Sequence, residues 1–475
     1  MFILGGLALF ALIYYSPAWP DAVDPKGEHF VLSPQAKGAL AVFAVAATWW
    51  IFEVVPIGVT SLLIGTLQAL FLIRKPVVAF KDFMDPSVLF IFGSVVIGMV
   101  FTKTGLTRRI AYKMLSIIGE KTSLIMLGCF VMTALLTHVM AHTAVAATMF
   151  PLLMAIYSLY TTEKTPTNFG KCLFMGMAYV AGAGSIVTLL GAARGAVALG
   201  FYKDMMNVDI SFGTLTYYMF PLGWLMVFLL WGFFLVLCKP EKDRIVGLKE
   251  KASRMYRELG GITRNEILAA VIIFAAVLLI ALKSFVPALE NLDKTGILLC
   301  STIAFFVFNI LKIEDLEDIP WNIILLFAGA MSIGFCLWET GAAKWLAVNW
   351  LVLFQKAPAV VFIMGMSFFV LIMTNFIMNV AAIAISLPVA LVIAPYLGVA
   401  GEVILFSALA TAGMPFILLI GAAPNAIAYN SKQFTTGEFL KFGILASILL
   451  MVVLWLFVAF VWPMMGMEVF VPRAV

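Results

Sequence analysis

One ten-residue pattern occurs twice in this chain, and each copy interrupts a stretch that is otherwise apolar enough for a lipid bilayer. Residues 189–198 read LLGAARGAVA and residues 419–428 read LIGAAPNAIA, so six of the ten positions are identical. An unpaired backbone group in hydrocarbon costs several kcal/mol, and irregular backbone therefore persists there only where it lines a cavity or contacts a ligand. Paired interruptions in two halves of a membrane protein are typical of the binding site of a transporter.

The composition is that of a polytopic membrane protein. Of the 475 residues, 63% are hydrophobic and 12% are charged, and the mean hydropathy is +1.08. Soluble domains carry about 25% charged residues. The five cysteines are scattered without metal-ligand spacing, which predicts packing thiols. The sequence contains no evident catalytic pair, metal-ligand cluster or nucleotide-binding loop, so it does not indicate an enzyme and implies no organic cofactor.

The charge distribution predicts the orientation in the membrane. The connector 239–264 carries eight Lys or Arg side chains. The positive-inside rule places it in the cytoplasm of a multi-pass protein of the plasma (cell inner) membrane. The loop after the first apolar segment carries Asp21, Asp24 and Glu28, which favours the outside. The net charge of +5 therefore reflects topology and does not indicate nucleic acid binding. The segment 2–15 has no Lys or Arg before it, and we interpret it as a retained first helix.

The apolar segments predict two kinds of membrane element. A spanning helix needs about 20 mainly apolar residues. Full-length candidates are 2–19, 36–54, 57–73, 87–102, 214–238, 266–286, 295–311, 321–338 and 440–463. The longer regions 123–160 and 358–396 are polar in the middle and predict re-entrant hairpins. Residues 172–202 and 402–430 predict helices that are unwound at Gly191 and Gly421.

The two halves of the chain repeat in nearly constant register. Thr137 plus 237 gives Thr374, Gly105 plus 236 gives Gly341, and Gly191 plus 230 gives Gly421. If the connector is cytoplasmic, the first hairpin opens from the inside and the second from the outside, so the repeats are inverted. The predicted fold class is an all-α polytopic membrane protein with a first repeat in residues 1–238 and a second in residues 265–475.

Hairpin tips and unwound helices would bring several helix ends together at the membrane midplane. The N–H groups at a helix N-terminus carry about half a positive charge and attract anions. Glycine at positions 191 and 421 lets the backbone approach a ligand closely. Close helix packing through small residues is the alternative explanation for these glycines. We therefore predict a site for a small anion, or for an anion accompanied by cations.

Arg194 is the strongest single candidate for this site. A permanent cation deep in a membrane segment is costly and usually faces a cavity or a partner. Its guanidinium could hold a carboxylate through two hydrogen bonds, or it could form a structural ion pair or snorkel to the interface. His142, at the first tip, could donate a hydrogen bond or carry a proton, whereas we interpret His138 as packing. Asn379 and Asn425 offer amide groups, or pair between helices.

Several of these motifs together resemble the divalent anion:sodium symporter family of INDY-type dicarboxylate transporters. They are Trp49-Trp50 with Glu53 and Pro56, the two hairpin tips followed by prolines, and GAAPN at residues 421–425. The resemblance extends over nearly the whole chain. In themselves, the two tryptophans are interpreted as membrane-interface anchors and Glu53 as a salt-bridge partner.

The resemblance implies a specific architecture and activity. It implies about eleven spanning helices, two opposed re-entrant hairpins and two broken helices, of the ion-transporter-superfamily type. It also implies a homodimer in which scaffold and transport domains are interleaved in sequence. The transport domain would move C4 or C5 dicarboxylates such as succinate, malate, fumarate or 2-oxoglutarate by an elevator mechanism. Some members move citrate or sulfate; many couple to sodium, and some exchange anions without it.

The resemblance also implies site residues. Members carry Ser-Asn-Thr at each tip, where this chain has Ala-His-Thr at 141–143 and Met-Asn-Val at 378–380. Thr143 and Asn379 match directly, whereas His142 and Val380 change the chemistry. The predicted substrate-binding residues are His142, Thr143, Gly191, Ala192, Arg194, Asn379, Val380, Gly421, Ala422, Pro424 and Asn425. Degenerate sodium sites fall on Thr137, Gly191, Thr374, Asn379 and Gly421.

The first break departs from the family by reading Arg194-Gly195 where Pro-Asn is usual. A fixed Arg194 and a titratable His142 could replace the sodium that offsets the charge of a dianion in a low-dielectric site. Because a built-in cation cannot leave with the substrate, an empty carrier would return poorly without a counter-anion. The sequence therefore favours sodium-independent exchange. Sodium-coupled symport of dicarboxylate, citrate or sulfate, proton coupling through His142, and a channel are the alternatives.

Overall fold

The computed structural model describes residues 2–23, 29–52, 54–161, 165–282, 286, 289, 291–354, 358–376 and 378–472. Helices make up most of these residues, as the sequence predicts. Asp24, Glu28 and Glu53 lie outside the described residues, and so does the salt bridge predicted for Glu53. Of the three acidic residues in the outer loop, the structure describes Asp21, which lies 3.6 Å from His29.

The described part of the first half is a series of helices with one small sheet. The helices are α1 (Phe2–Tyr15), α2 (Pro34–Ile51), α3 (Ile57–Leu70), α4 (Pro76–Lys81), α5 (Pro86–Thr104), α6 (Leu106–Ile118), α7 (Thr122–Thr137), α8 (His142–Tyr160), α9 (Asn168–Gly184), α10 (Ala193–Met206) and α11 (Phe212–Leu237). A 3-10 helix covers Asp82–Met84. Strands β1 (Ala22–Val23) and β2 (His29–Phe30) pair in antiparallel fashion.

The second half continues the helical series. Its helices are α12 (Leu248–Glu258), α13 (Arg264–Leu282), α14 (Lys294–Val307), α15 (Ile313–Glu317), α16 (Trp321–Glu339), α17 (Ala342–Phe354), α18 (Ala359–Phe376), α19 (Asn379–Ile393), α20 (Gly401–Gly413), α21 (Ala423–Tyr429), α22 (Thr436–Leu456) and α23 (Trp462–Met464). The 3-10 helices Ala394–Leu397 and Leu419–Gly421 follow α19 and precede α21. A π-helical segment, Phe457–Val461, continues α22.

The helix starts follow the capping residues in the sequence. Ser33, Thr167 and Ser211 each accept a hydrogen bond from the backbone N–H three residues later. Thr435 does the same with Glu438, whose side chain completes a capping box. These bonds satisfy N–H groups that a helix start otherwise leaves unpaired.

Eight of the described helical segments are long and apolar enough to cross a membrane. Three of them are the single helices α11, α13 and α16. Two more are continuous helical runs, one formed by α4 and α5 and the other by α22 and α23. The other three are α8, α18 and α19, which are arms of the predicted hairpins. The all-helical, polytopic fold class is therefore confirmed.

The repeat in the sequence is also a repeat in backbone conformation. Gly105 and Gly341 adopt the same left-handed conformation, with φ of +81° and +82°, and each is followed by a 13-residue helix, α6 or α17. Ala192 and Ala422 are both extended, with φ and ψ of −163° and 140° and of −154° and 148°. A left-handed corner suits glycine, which has no Cβ. Equivalent residues therefore make equivalent turns in the two halves.

The second segment of each broken helix packs against the hairpin of the other half. Helix α10, which follows the first break, packs on α19 of the second hairpin. Helix α21, which follows the second break, packs on α8 of the first hairpin. Helices α3 and α16 pair elsewhere in the molecule, as do α5 and α14. This cross-packing brings the two breaks and the two hairpins into one region.

Trp49 and Trp50 do not face lipid headgroups, which corrects the predicted interface role. They are 8% and 4% exposed. Gly6 of α1 lies so close to Trp49 that an added β-carbon would be 2.5 Å from the indole Nε1. The Trp50 indole donates to the Ile57 carbonyl at 3.3 Å. The indoles thus join α1, α2 and α3, because burying large aromatic surface between helices outweighs their interface preference.

Two buried arginines away from the breaks are paired with carboxylates. The Arg74 guanidinium lies 2.5 Å from Asp82 and 2.8 Å from Glu339. Arg109 Nε lies 2.7 Å from Glu266, and the same guanidinium donates to the carbonyls of Gly260 and Gly261. Such pairing is what a buried charge requires.

Candidate functional site

The tip of the first hairpin is hydrogen-bonded to the first break. The His142 backbone N–H donates to the Gly191 carbonyl at 3.0 Å, and the imidazole Nδ1 lies 3.2 Å from the same oxygen. The Thr188 hydroxyl donates to the His138 carbonyl at 2.7 Å. The imidazole of His138 packs edge-on against Trp224. His142 thus engages a carbonyl that the sequence assigns to a sodium site.

Gly191 lies where only a glycine fits. A β-carbon added there would be 2.5 Å from the Thr137 carbonyl oxygen and 2.7 Å from the Ser185 carbonyl oxygen. At the equivalent Gly421, an added β-carbon would be 3.1 Å from the Thr374 carbonyl oxygen. Contacts this short with backbone cannot be relieved by a rotamer change. In both halves, therefore, the break glycine packs directly against the end of the first hairpin arm.

The Arg194 side chain is buried between the two breaks. The residue is 2% exposed, and its Nη2 donates to the Ser185 hydroxyl at 2.7 Å. A β-carbon on Gly413, at the end of α20, would be 2.8 Å from the same nitrogen. Among the described residues, Arg194 Nη1 has no hydrogen-bond partner and no carboxylate lies within ion-pair distance. Unlike Arg74 and Arg109, this guanidinium has an open requirement for an anion.

The second break is braced by two asparagines. The Asn425 side-chain NH₂ donates to the carbonyls of Pro415 and Leu418 at 2.8 and 3.1 Å. The Asn375 side-chain oxygen accepts from the N–H groups of Ile417 and Leu418 at 2.8 and 3.0 Å. Irregular backbone at membrane depth needs such partners. The amide hydrogens of Asn425 are thereby engaged within the protein.

Replacing Asn375 with Ala is expected to destabilise the protein. The change leaves the partly buried backbone N–H groups of Ile417 and Leu418 without their acceptor, and each lost hydrogen bond costs about 0.5–1.5 kcal/mol. The melting temperature of the detergent-solubilised protein measures the effect. Asn349→Ala is the matched control, because Asn349 is exposed and bonds within its own helix, α17. Equal melting temperatures for the two variants would contradict the bracing role.

Oxygen atoms converge at the tip of the second hairpin. The Thr374 hydroxyl lies 3.2 Å from the Asn379 side-chain oxygen and 3.1 Å from the Ala412 carbonyl. A hydroxyl has one proton, so it cannot donate to both oxygens at full strength. Carbonyl, amide and hydroxyl oxygens are the ligands that hard cations prefer. The second half therefore has a set of oxygen ligands that fits a small monovalent cation, whereas in the first half the Gly191 carbonyl accepts from the His142 N–H.

The structure places the predicted residues in two groups. His142, Gly191 and Arg194 lie around the first tip and break, with Thr143 following His142 in α8 and Ala192 preceding α10. Asn379 and Val380 begin α19, and both are buried. Gly421 and Ala422 precede α21, which contains Pro424 and Asn425. Two contacts lie between the groups: Arg194 faces Gly413 at the end of α20, just before the second break, and α10 packs on α19.

Sequence reasoning missed three residues that shape this site. They are Ser185, which holds Arg194; Gly413, which faces the guanidinium; and Asn375, which lies in the polar middle of the region 358–396. In the repeat register Ser185 corresponds to Pro415, a residue without a hydroxyl, so the repeat does not identify Ser185 as the partner of Arg194. Asn425 donates to the Pro415 backbone carbonyl, and Arg194 donates to the Ser185 side-chain hydroxyl. In each half, therefore, a side chain of the helix after the break donates to a residue at the start of the break, although in the repeat register Arg194 corresponds to Pro424 and not to Asn425.

Comparison with known proteins gives a family match over most of the chain. Residues 25–468 match the family model described as the sodium:sulfate symporter transmembrane region. Among curated proteins, the sodium-dependent dicarboxylate transporter SdcS of Staphylococcus saprophyticus is 25% identical over 463 residues, covering 93% of this chain and 89% of that protein. The SdcS protein of Staphylococcus aureus USA300 is 25% identical over 454 residues, covering 90% and 87%.

The fold also occurs among solved structures. MtrF of Neisseria gonorrhoeae, described as illuminating a class of antimetabolite efflux pumps, aligns with a TM-score of 0.53 and 14% sequence identity. The alignment covers 96% of this chain and 92% of that chain. At this identity the likeness concerns the fold alone.

Proposed function

The chain belongs to the family of the sodium:sulfate symporter transmembrane region, and from this membership we propose that it is a secondary active transporter of C4 and C5 dicarboxylates. The observation that carries the proposal is Arg194, a buried guanidinium that lies between two breaks with no carboxylate partner among the described residues. As predicted, the relatives are transporters and not enzymes.

A dicarboxylate fits the chemistry of this region. A guanidinium binds one carboxylate through paired, charge-assisted hydrogen bonds. The N-termini of α8, α10 and α19, which begin at the tips and at the first break, favour a second negative group. The two SdcS relatives are named as dicarboxylate transporters. We propose succinate, malate, fumarate and 2-oxoglutarate as the substrates.

Anion exchange without sodium is the mode that we favour. Arg194 is part of the chain and cannot leave with the substrate, so a substrate-free carrier keeps an uncompensated buried charge. Such a charge is costly at membrane depth, and a counter-anion removes that cost on the return step. The engagement of the Gly191 carbonyl by His142 supports the same mode, because that oxygen is less available to sodium.

Sodium-coupled symport is the alternative, and two observations favour it. The relatives are named as sodium-dependent. The oxygens of Thr374, Asn379 and Ala412 fit a sodium ion at the second tip. With Gly421 they would hold a cation in the second half alone, whereas Thr137 and Gly191 would contribute little in the first half.

We further propose the architecture that the family resemblance implies. The two repeats are inverted, scaffold and transport domains are interleaved in sequence, and two copies form a homodimer. The transport domain moves the substrate as an elevator across the plasma membrane, with the connector 239–264 in the cytoplasm. The cross-packing of α10 on α19 and of α21 on α8 supports a single transport body built from both halves.

A counterflow experiment tests the proposed function. Purified protein is reconstituted into vesicles that contain unlabelled succinate, malate, fumarate, 2-oxoglutarate, citrate or sulfate, and labelled succinate is added outside, with and without sodium. We expect uptake that requires an internal dicarboxylate and proceeds without sodium. Uptake that requires a sodium gradient and needs no internal anion would establish symport instead. Flux that neither saturates nor responds to internal substrate would establish a channel.

A further inference from the structure

An apolar groove lies on the outer side of the second hairpin. It has a volume of about 930 Å³ and runs between α18 and α22. Its lining residues include Val361, Gly365, Phe368, Ile417, Ile448 and Trp455. The groove is thus separate from the polar contacts at the hairpin tips.

The groove is continuous with the surface that faces the bilayer. Helix α18 and the helical run from α22 to α23 are both long and apolar enough to cross a membrane. Phe368, Ile448 and Trp455, which line the groove, are about half exposed and open onto this apolar surface. The groove therefore opens into hydrocarbon, where water does not fill an apolar space.

The groove lies directly behind the second break. Ile417 forms part of its wall, and the Ile417 backbone N–H is held by Asn375 of α18. Gly443 of α22 packs against the Phe416 carbonyl, next to the same wall. The Ser447 side chain also lines the groove, is 5% exposed, and has no hydrogen-bond partner among the described residues. A molecule in the groove would therefore contact the hairpin arm α18, the second break and α22 at the same time.

We propose that the groove holds an acyl chain of a membrane phospholipid, which packs between α18 and α22 behind the second break. An empty groove would forfeit the dispersion contacts of its lining atoms. The surrounding hydrocarbon supplies flexible chains of matching polarity at this depth. The bound acyl chain packs against the hairpin arm α18 and can be replaced by another lipid chain. This proposal depends on the membrane fold and not on the identity of the substrate.

Gly365 allows the groove to be filled by a single substitution. A β-carbon added at Gly365 would meet no heavy atom within 4 Å. Gly232 in α11 is equally open and serves as a matched control on a helix that does not line the groove. Gly365→Phe and Gly232→Phe thus place the same side chain on two apolar helices of the membrane region. Gly365→Leu is a smaller variant in case phenylalanine impairs folding.

The experiment uses vesicles of phosphatidylcholine that contain a photoactivatable group in one acyl chain. After illumination, labelled peptides of the full-length protein are quantified by mass spectrometry. We expect labelling concentrated on the groove faces of α18 and α22. Gly365→Phe should reduce this labelling by roughly tenfold, which is the factor expected when about two methylene groups of the acyl chain lose their contact with the groove. Gly365→Leu should reduce it less, and Gly232→Phe should leave it unchanged.

Two results would overturn the proposal. One is labelling of α18 and α22 that persists at the wild-type level in both Gly365 variants, which would mean ordinary contact with the bilayer. The other is the absence of labelling in the wild-type protein together with a change of oligomeric state in Gly365→Phe, which would mean that a second copy covers the groove.

Discussion

Replacing Arg194 with Gln is expected to reduce dicarboxylate counterflow at least about 30-fold, because deleting one partner of a buried charged contact costs about 2 kcal/mol or more. The glutamine keeps a polar group beside Ser185 but supplies neither the charge nor the paired donors of guanidinium. Arg194→Lys keeps the charge and should retain part of the rate. The measurement is the initial rate of labelled succinate uptake into vesicles loaded with unlabelled succinate.

Two controls separate substrate binding from bracing of the first break. Arg108→Gln removes an exposed arginine from α6 and should leave the rate unchanged. Ser185→Ala removes the hydroxyl that accepts from Arg194 but leaves the guanidinium in place. If Arg194 only braces the break, Ser185→Ala and Arg194→Gln will lower the rate equally. That result would contradict a role in anion binding.

Replacing Gly191 with Ala is expected to abolish counterflow and to destabilise the protein by about 3 kcal/mol, at the upper end for overpacked sites. The new methyl group would lie 2.5 Å from the Thr137 carbonyl oxygen and 2.7 Å from that of Ser185. Relief would require the hairpin tip and the break to separate, which would strain the bonds that His142 makes to the Gly191 carbonyl. Transport rate and melting temperature are measured on the same preparation.

Gly195→Ala is the matched control for this substitution. It adds the same methyl group four residues later, where the nearest atom is the Leu189 Cδ2 at 3.1 Å, the end of a flexible side chain. Because Gly195 lies in α10, alanine also favours its helical conformation. If Gly195→Ala is as impaired as Gly191→Ala, any added volume in this region disrupts the protein. That result would contradict the explanation from the close contact between Gly191 and the Thr137 carbonyl.

These predictions address the difference between the two halves. In the first half, the residue that ties the helix after the break to the start of the break is an arginine; in the second it is an asparagine. Asn425 uses its amide hydrogens within the protein. Arg194 has five N–H groups, which are more than its hydrogen bond to Ser185 can engage. The helix after the break thus braces the second break through Asn425, whereas in the first half Arg194 has an unmet requirement for an anion.

The fates of individual residues show how far sequence reasoning reached. His142 was expected at the first tip and begins α8, but its contact with the Gly191 carbonyl follows from how hairpin and break meet. Asn425 was predicted to offer its amide to the substrate, and the structure engages its NH₂ with two carbonyls of the break. An unwound segment exposes backbone groups that need partners. The sequence does not show whether a backbone carbonyl or a substrate lies nearer to the Asn425 amide.

The sequence by itself determined where the backbone is regular and where it is not. Apolar stretches, capping residues, glycines and the repeat register predicted the helices, the two hairpins and the two breaks, because these features act on neighbours within a few residues. Only the tertiary structure decided that Arg194 faces Gly413, more than 200 positions away, and that Asn375 braces Ile417. Such contacts depend on which helices cross and at what distance. The packing of the whole molecule decides which helices cross and how closely, and local sequence patterns do not contain this information.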